Sequence, residues 1–224
     1  MARLFEALEV FDHRSTPGLP AQNMAMDEAL LLTASLPVLR FYRWREPAVT
    51  FGYFLNFGEV AAMAGDRPLM RRWTGGGIVE HGEDFTWSLI VPAACPVHRM
   101  RPVASYGAIH AAVAEAMAAT GSPVHQVPLD QPSPAGGLCM TAPAPGDLLW
   151  NGQKVAGAGQ RRSRHGLLHQ GTIRGVPLGA DFPSCLATTL AGKVLPFPVE
   201  RQPVAEAEAL VASRYGTDEW LRMR

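Results

Sequence analysis

The chain has 224 residues, 47% hydrophobic and 18% charged, which is enough apolar material for one sizeable core. Twenty basic and twenty acidic side chains cancel, so no global charge draws it to nucleic acid or to an anionic membrane, and neither is expected as a partner. Its three cysteines, Cys95, Cys139 and Cys185, are odd in number and widely spaced with no CxxC pair; that speaks against a disulfide framework or a metal site and for a reducing, cytoplasmic compartment.

The first residues mix charged and apolar types, so no signal peptide is expected, and no apolar run reaches the length of a membrane span. Residues 4–11 read as a short strand, stopped by Pro17-Gly18-Leu19-Pro20. Residues 21–33 carry Met26, Ala29, Leu30 and Thr33 at helical spacing, with Pro20 suited to a first turn. Residues 38–42 and 48–53 are rich in β-branched and aromatic types and read as paired strands. A short helix is expected over 57–64, and strands over 69–72, 78–81 and 85–91 around a glycine turn. Residues 103–119 form the clearest helix, with Val103, Tyr106, Ile109, Val113 and Met117 on one stripe and Gly121 and Pro123 ending it. Residues 128–145, rich in Pro, Gly and Ala, read as a long mobile loop. Strands over 147–150, 153–160 and 167–173 make a meander whose Asn151-Gly152 step is a hairpin signal. The stretch 204–215 has helical spacing at Val204, Ala207, Val211 and Tyr215. Strands dominate the middle without strict βαβ alternation, and no linker is visible. The class is α+β, in one domain over 1–224.

Four stretches carry candidate chemistry. Arg71-Arg72-Trp73-Thr74-Gly75-Gly76-Gly77-Ile78-Val79-Glu80-His81 places three bare glycines between two strands. Backbone N–H groups there can converge on a ligand oxygen, with two guanidiniums beside them for a carboxylate or phosphate. Neither a P-loop lysine nor a GxGxxG helix accompanies them, and a plain glycine hairpin with solvated arginines is the bland alternative. In Gly152-Gln153-Lys154-Val155-Ala156-Gly157-Ala158-Gly159-Gln160-Arg161-Arg162, Lys154 opens a strand of small residues. It is either a lysine aimed into a pocket, able to polarise a carbonyl, or an ordinary surface lysine. Cys139, in Gly136-Gly137-Leu138-Cys139-Met140, is either a thiolate nucleophile or an inert thiol. His169, in Leu167-Leu168-His169-Gln170-Gly171-Thr172-Ile173, is a base for that thiol or a hydrogen-bonded core residue; His81 leaves the same choice open.

In this order, these pieces resemble one family, the biotin/lipoate protein ligases and octanoyltransferases. The resemblance covers residues 23–173, about two thirds of the chain. Asn23-Met24-Ala25-Met26-Asp27-Glu28 is similar to the family's early helix signature, and Arg71 to Gly77 with Val79 and His81 to its arginine–glycine motif. Lys154-Val155-Ala156-Gly157 with Gln160-Arg161 is similar to its lysine motif, and His169 to Ile173 to its later strand. The resemblance implies a mixed, largely antiparallel central sheet flanked by helices, in the class II synthetase-like catalytic-domain fold. Cys139, ahead of Lys154 and with an acidic residue at Asp147, resembles the cysteine-class octanoyltransferases. In that class a thiolate takes octanoate from acyl carrier protein and passes it to a lysine of a lipoyl-domain or glycine-cleavage H-type protein, with no cofactor and no metal. The near alternative is an ATP- and Mg-dependent lipoate–protein ligase that forms an acyl-adenylate. A non-catalytic acyl- or carrier-binding descendant is a third reading. Met140 stands where the cysteine class has a bulky aromatic, and Gly77 where it has arginine, as many ligases do; the short stretch after the core leans towards transferase. On this resemblance Cys139 and Lys154 are catalytic. Arg71, Arg72, Thr74, Gly75, Gly76, Gly77, His81, Asp147, Gly157 and His169 bind substrate, with Arg71 and Arg72 at the mouth.

Overall fold

The computed structural model describes residues 3–132 and 143–223. Cys139 and most of the loop read over 128–145 lie outside the described residues. The chain runs β1 (Phe5–Asp12), α1 (Pro20–Thr33), β2 (Val38–Tyr42), β3 (Ala48–Phe51), α2 (Phe57–Ala64), β4 (Leu69–Arg71), β5 (Ile78–His81) and β6 (Phe85–Pro92). It continues through α3 (Pro96–Arg99), α4 (Pro102–Ala119), β7 (His125–Gln126), β8 (Leu148–Trp150), β9 (Gln153–Ser163) and β10 (Gly166–Ile173). Last come α5 (Phe182–Leu190), β11 (Ala191–Pro196), α6 (Val204–Leu210), a π turn over Val211–Tyr215, and α7 (Asp218–Arg222).

Among the described residues the large sheet has the order β11-β1-β2-β6-β10-β9-β8-β7. It is parallel only where β1 meets β11 and β2, and antiparallel elsewhere. A small second sheet has the order β4-β3-β5. Helices cover the large sheet on both faces. On one face α4 and α5 bury Ile109, Val113, Met117, Phe182 and Leu186 against Phe41, Trp87 and Leu89. On the other, α1 and the C-terminal helices bury Leu30 and Tyr215 against Val38, Ile90 and Leu168. Strands covered on both faces lose their in–out alternation, so β2 and β10 are buried at every position.

The α+β class and the meander match the sequence reading. Asn151 and Gly152 both take positive φ, 49° and 79°, which suits the tight turn joining β8 to β9 and sets the pairing of Trp150 with Gln153. Pro20 opens α1 as expected.

Three expectations are corrected. β2 and β3 do not pair with each other. Gly18 donates its N–H to Arg43 O at 3.1 Å and accepts the N–H of Arg45 at 3.0 Å, so the link after β2 lies along Gly18 instead of turning back, and β3 starts the second sheet. β4 and β5 do not form a hairpin either. The crossover through α2 lays β4 parallel to β3, and β5 returns antiparallel on β3's other side. The triple glycine therefore crosses over the end of β3. The helix expected over 204–215 is α6 followed by the π turn. That turn brings Arg214 and the Tyr215 hydroxyl onto the Glu28 carboxylate of α1.

No helix among the described residues is long and apolar enough to cross a membrane. Ile109, on the inner face of α4, is fully buried, so Ile109→Ala should cost about 2–5 kcal/mol. Urea denaturation should show that loss as a lowered midpoint with an unchanged slope.

Candidate active site

Lys154 is the second residue of β9, paired with Leu149 just after the Asn151-Gly152 turn. Its Nζ lies 2.7 Å from Asp147 Oδ2, with side-chain exposures of 18% and 1%. To reach Asp147 the lysine folds across Gly157: a Cβ at that position would stand 2.8 Å from Lys154 Cε and 3.0 Å from Nζ. Asp147 is fixed independently. Oδ2 also accepts the N–H of Ala144 at 2.7 Å, and Oδ1 accepts the hydroxyl of Tyr106 at 2.6 Å. The Tyr106 oxygen in turn accepts the N–H of Ala158 at 2.9 Å. Burial first, and the neighbouring Asp147 carboxylate second, push the Tyr106 hydroxyl well above its usual pKa, so it stays a donor.

Opposite Lys154 lies the glycine loop. It packs backbone to backbone on β9, where the Gly75 N–H donates to Gln160 O at 3.3 Å. A Cβ at Gly159 would stand 2.3 Å from Gly75 O, so only glycine fits there. Between them runs a narrow cleft. Lys154, Gly157, Gly159, Gly76 and Gly77 line one end, and Gln170, Thr86, Trp44, Tyr42 and Met24 continue it inward.

Buried polar chains hold the loop from behind. Thr74 donates its hydroxyl to Gln170 Oε1 at 2.7 Å, and Gln170 donates Nε2–H to Asp27 Oδ2 at 2.8 Å. Asp27 Oδ1 accepts from Arg40 and from Ser88, both at 2.7 Å. On the other side Arg72 donates to Thr50 Oγ1 at 2.7 Å and to Gly77 O at 2.9 Å. Burial lowers the Arg72 pKa to about 10, which leaves it cationic at neutral pH. Thr50 Oγ1 also lies 2.8 Å from His81 Nε2, and His81 Nδ1 lies 2.8 Å from Asp84 Oδ2. Burial pushes the Asp84 carboxyl up, but donors from His81, Thr172 and Thr86 outweigh it and hold its pKa at about 2. Burial lowers the His81 pKa despite Asp84. A neutral His81 donates from Nδ1 to Asp84 and accepts the Thr50 hydroxyl at Nε2.

The expected site residues therefore divide. Lys154, Gly157, Gly76, Gly77, Arg72 and His81 line the cleft. Thr74 and Gly75 build the loop beside it, and Asp147 anchors the lysine. Arg71 does not reach the mouth. It is fully buried, and its guanidinium serves the carbonyls of Tyr53, Leu55, Trp220 and Leu221. Arg72 is buried too, turned towards Thr50 and the loop carbonyls rather than outward. His169 does not open on the cleft. It sits in the core beside Trp87, Tyr106 and His110, where Gln160 donates to its Nδ1 at 3.1 Å. Cys139 lies outside the described residues. Further out in sequence, Val127 donates its N–H to Asp147 O at 2.8 Å, and Gly146 donates to Val127 O at 3.0 Å. Cys95 and Cys185 are half-buried free thiols. No group of three or more His, Cys, Asp or Glu among the described residues is placed to hold a metal.

Tyr106, Asp27, Asp84 and Gln170 escaped the sequence reading as functional residues. Tyr106 was legible only as a core position of α4. Its signal is that a buried phenol in an aliphatic stripe must find a polar partner. Asp27 shows the same signal as a carboxylate inside an apolar helix.

A family model described as the lipoyl protein ligase A/B catalytic domain matches residues 19–194. Curated relatives include proteins named octanoyltransferase LipM. That of an Exiguobacterium species is 32% identical over 72% of this chain and 63% of its own length. That of Staphylococcus aureus is 32% identical over 69% of this chain and 61% of its own. The chain thus spans about three fifths of the length of these relatives. Among solved structures, a lipoate-protein ligase A bound with ATP superposes with a TM-score of 0.72 at 19% identity, over 97% of this chain and 98% of that one. The bipartite lipoate protein ligase of Thermoplasma acidophilum, described with its E2 lipoyl domain, gives 0.71 at 19% identity, over 99% and 97%. These two likenesses establish the fold.

Burial lowers the pKa of His110 to about 4 and that of His169 well below its usual 6.5. Both are neutral in the fold and protonate near 6.5 when it opens, so the unfolded chain binds more protons below that pH. Stability should be full above pH 6.5 and fall as pH drops from 6.5 towards about 4. Urea unfolding across that range should show the slope, and His110→Phe should remove part of it.

Proposed function

The chain belongs to the lipoyl protein ligase A/B catalytic-domain family, and from that premise we propose that it moves an octanoyl group from acyl carrier protein to a lysine of a lipoyl-domain or H-type protein. The observation that carries this reading is the Lys154 ammonium, held by a buried Asp147 and facing the glycine loop across a narrow apolar cleft. The length of the cleft supports a medium acyl chain. Its lining runs from Lys154 on β9 across β10 and β6 to Tyr42 on β2, three strand spacings or about 14 Å.

In the proposed mechanism the Cys139 thiolate attacks the thioester carbonyl of the donor. The carbonyl oxygen gains negative charge, and Lys154 stabilises it electrostatically. The carrier's thiolate then leaves and takes up a proton. The acceptor's neutral amine attacks the new acyl-cysteine, an amide forms, its proton passes to solvent, and the Cys139 thiolate is restored. The covalent relay divides one transfer into two lower barriers.

The ligase reading requires ATP and Mg, with phosphate met by Lys154 and by arginines. Both arginines of the glycine motif are committed to internal acceptors, and this favours a neutral thioester donor over a nucleotide. A descendant that only binds an acyl carrier is the remaining alternative.

The test is intact-mass analysis after mixing with octanoyl acyl carrier protein. The expected result is an octanoyl adduct that disappears in Cys139→Ala, with transfer to a lipoyl domain in the absence of ATP. Lys154→Ala should slow transfer about a hundredfold or more. Active Cys139→Ala with ATP-dependent adenylate formation would establish the ligase instead. Binding with neither adduct nor transfer would leave the non-catalytic reading.

A further inference from the structure

We propose that Tyr106 is a positioning residue that aims the Lys154 ammonium by fixing the carboxylate of Asp147. This deepens the reading above and rests on it for the catalytic consequence, but not for the geometry.

β9 leaves its outer neighbour β8 early: the last paired residues are Leu148 and Ala156. Among the described residues no strand lies along the outer edge of β9 beyond that point, and the Ala158 N–H needs another acceptor. The Tyr106 oxygen supplies it at 2.9 Å. The same oxygen donates its proton to Asp147 Oδ1 at 2.6 Å. One phenol thus ties the strand that carries Lys154 to the carboxylate that binds Lys154.

The ring has little freedom. It is stacked on His110 with centroids 4.2 Å apart. It also lies so close to Gly146 that a Cβ there would stand 2.7 Å from Tyr106 Cδ1. The position of the hydroxyl is therefore set by α4, and Asp147 inherits it. With Oδ1 taken by Tyr106, Asp147 offers Oδ2 to Lys154. A single contact to Asp147 leaves the other ammonium protons of Lys154 for the cleft, where a carbonyl oxygen would gain charge. Without the hydroxyl, both carboxylate oxygens are open to the lysine, and the ammonium is drawn back from the cleft.

The chain has only two lysines, Lys154 and Lys193. Lys193 is exposed on β11, at the opposite end of the large sheet from β8 and β7. Protein grown with lysine labelled at 13Cε therefore gives one signal for the site and one internal reference. Tyr106→Phe keeps the ring, and with it the contacts to His110 and Gly146, while deleting the hydroxyl. In this variant the Lys154 signal should shift towards that of Lys193, and Lys193 should stay in place. Turnover with octanoyl acyl carrier protein should fall about tenfold or more with KM unchanged. If Tyr106→Phe does not fold, 3-fluorotyrosine at position 106 preserves both hydrogen bonds and strengthens the donor; the Lys154 signal alone should then move. A Lys154 signal that is unmoved by either replacement overturns the proposal. Wild-type protein that transfers no octanoyl group refutes the proposed function instead, and the labelled-lysine result still decides the role of Tyr106.

Discussion

The ion pair between Lys154 and Asp147 is the constraint around which the rest of the site is arranged. Taking a carboxylate almost wholly out of water costs several kcal/mol unless other donors complete its shell. Asp147 has three donors: the lysine, the Ala144 N–H and the Tyr106 hydroxyl. Each dictates a piece of sequence. The lysine needs a residue without a Cβ at Gly157 so that it can fold over the strand. The phenol needs α4 to run behind β9. The Ala144 N–H needs the chain to return beside Asp147, where Val127 and Gly146 pin it.

The opposite wall follows the same logic with different chemistry. Three consecutive glycines offer no side chain to hold their own shape, so the shape is imposed from outside. Thr74 is held through Gln170 by Asp27, and Gly77 is held by Arg72, which Thr50, His81 and Asp84 back in turn. Nearly every member of these chains is buried, so a broken link leaves an unsatisfied group in the core, not a solvated one. Arg71 extends this scaffold to α7, donating to the carbonyls of Trp220 and Leu221. The glycine loop is therefore coupled to both α1 and α7, at opposite ends of the chain.

Much of this was legible in the residues. The order of motifs gave the family and the α+β class, Asn151-Gly152 marked the hairpin that presents Lys154, and Pro20 marked the start of α1. Other features depend on partners far along the chain. The sheet to which residues 48–51 belong was hidden because strand propensity does not name a neighbour, and the tie between Gly18 and Arg43 and Arg45 decides it. Arg71 and Arg72 looked like solvent-facing anion binders because arginine beside glycine reads that way. Their acceptors, the carbonyls of residues 53, 55, 220 and 221 and the Thr50 hydroxyl, could not be seen from a local window. His169 left a base or a core residue open, because a local window does not show that its strand is buried at every position. Tyr106 was hidden in a helical stripe whose other members are aliphatic. β11 and α5 carry no periodic pattern of their own, and they are placed by β1, beside which β11 lies in parallel.

The most direct measurement is a double-mutant cycle on unfolding free energy, using Asp147→Asn, Lys154→Met and the pair together. A desolvated, hydrogen-bonded ion pair predicts a coupling of about 1–3 kcal/mol between the two sites. Single-mutant losses that simply add, to within about 0.5 kcal/mol, would mean that the two side chains do not hold each other, and the account of the site built on that pair would be wrong.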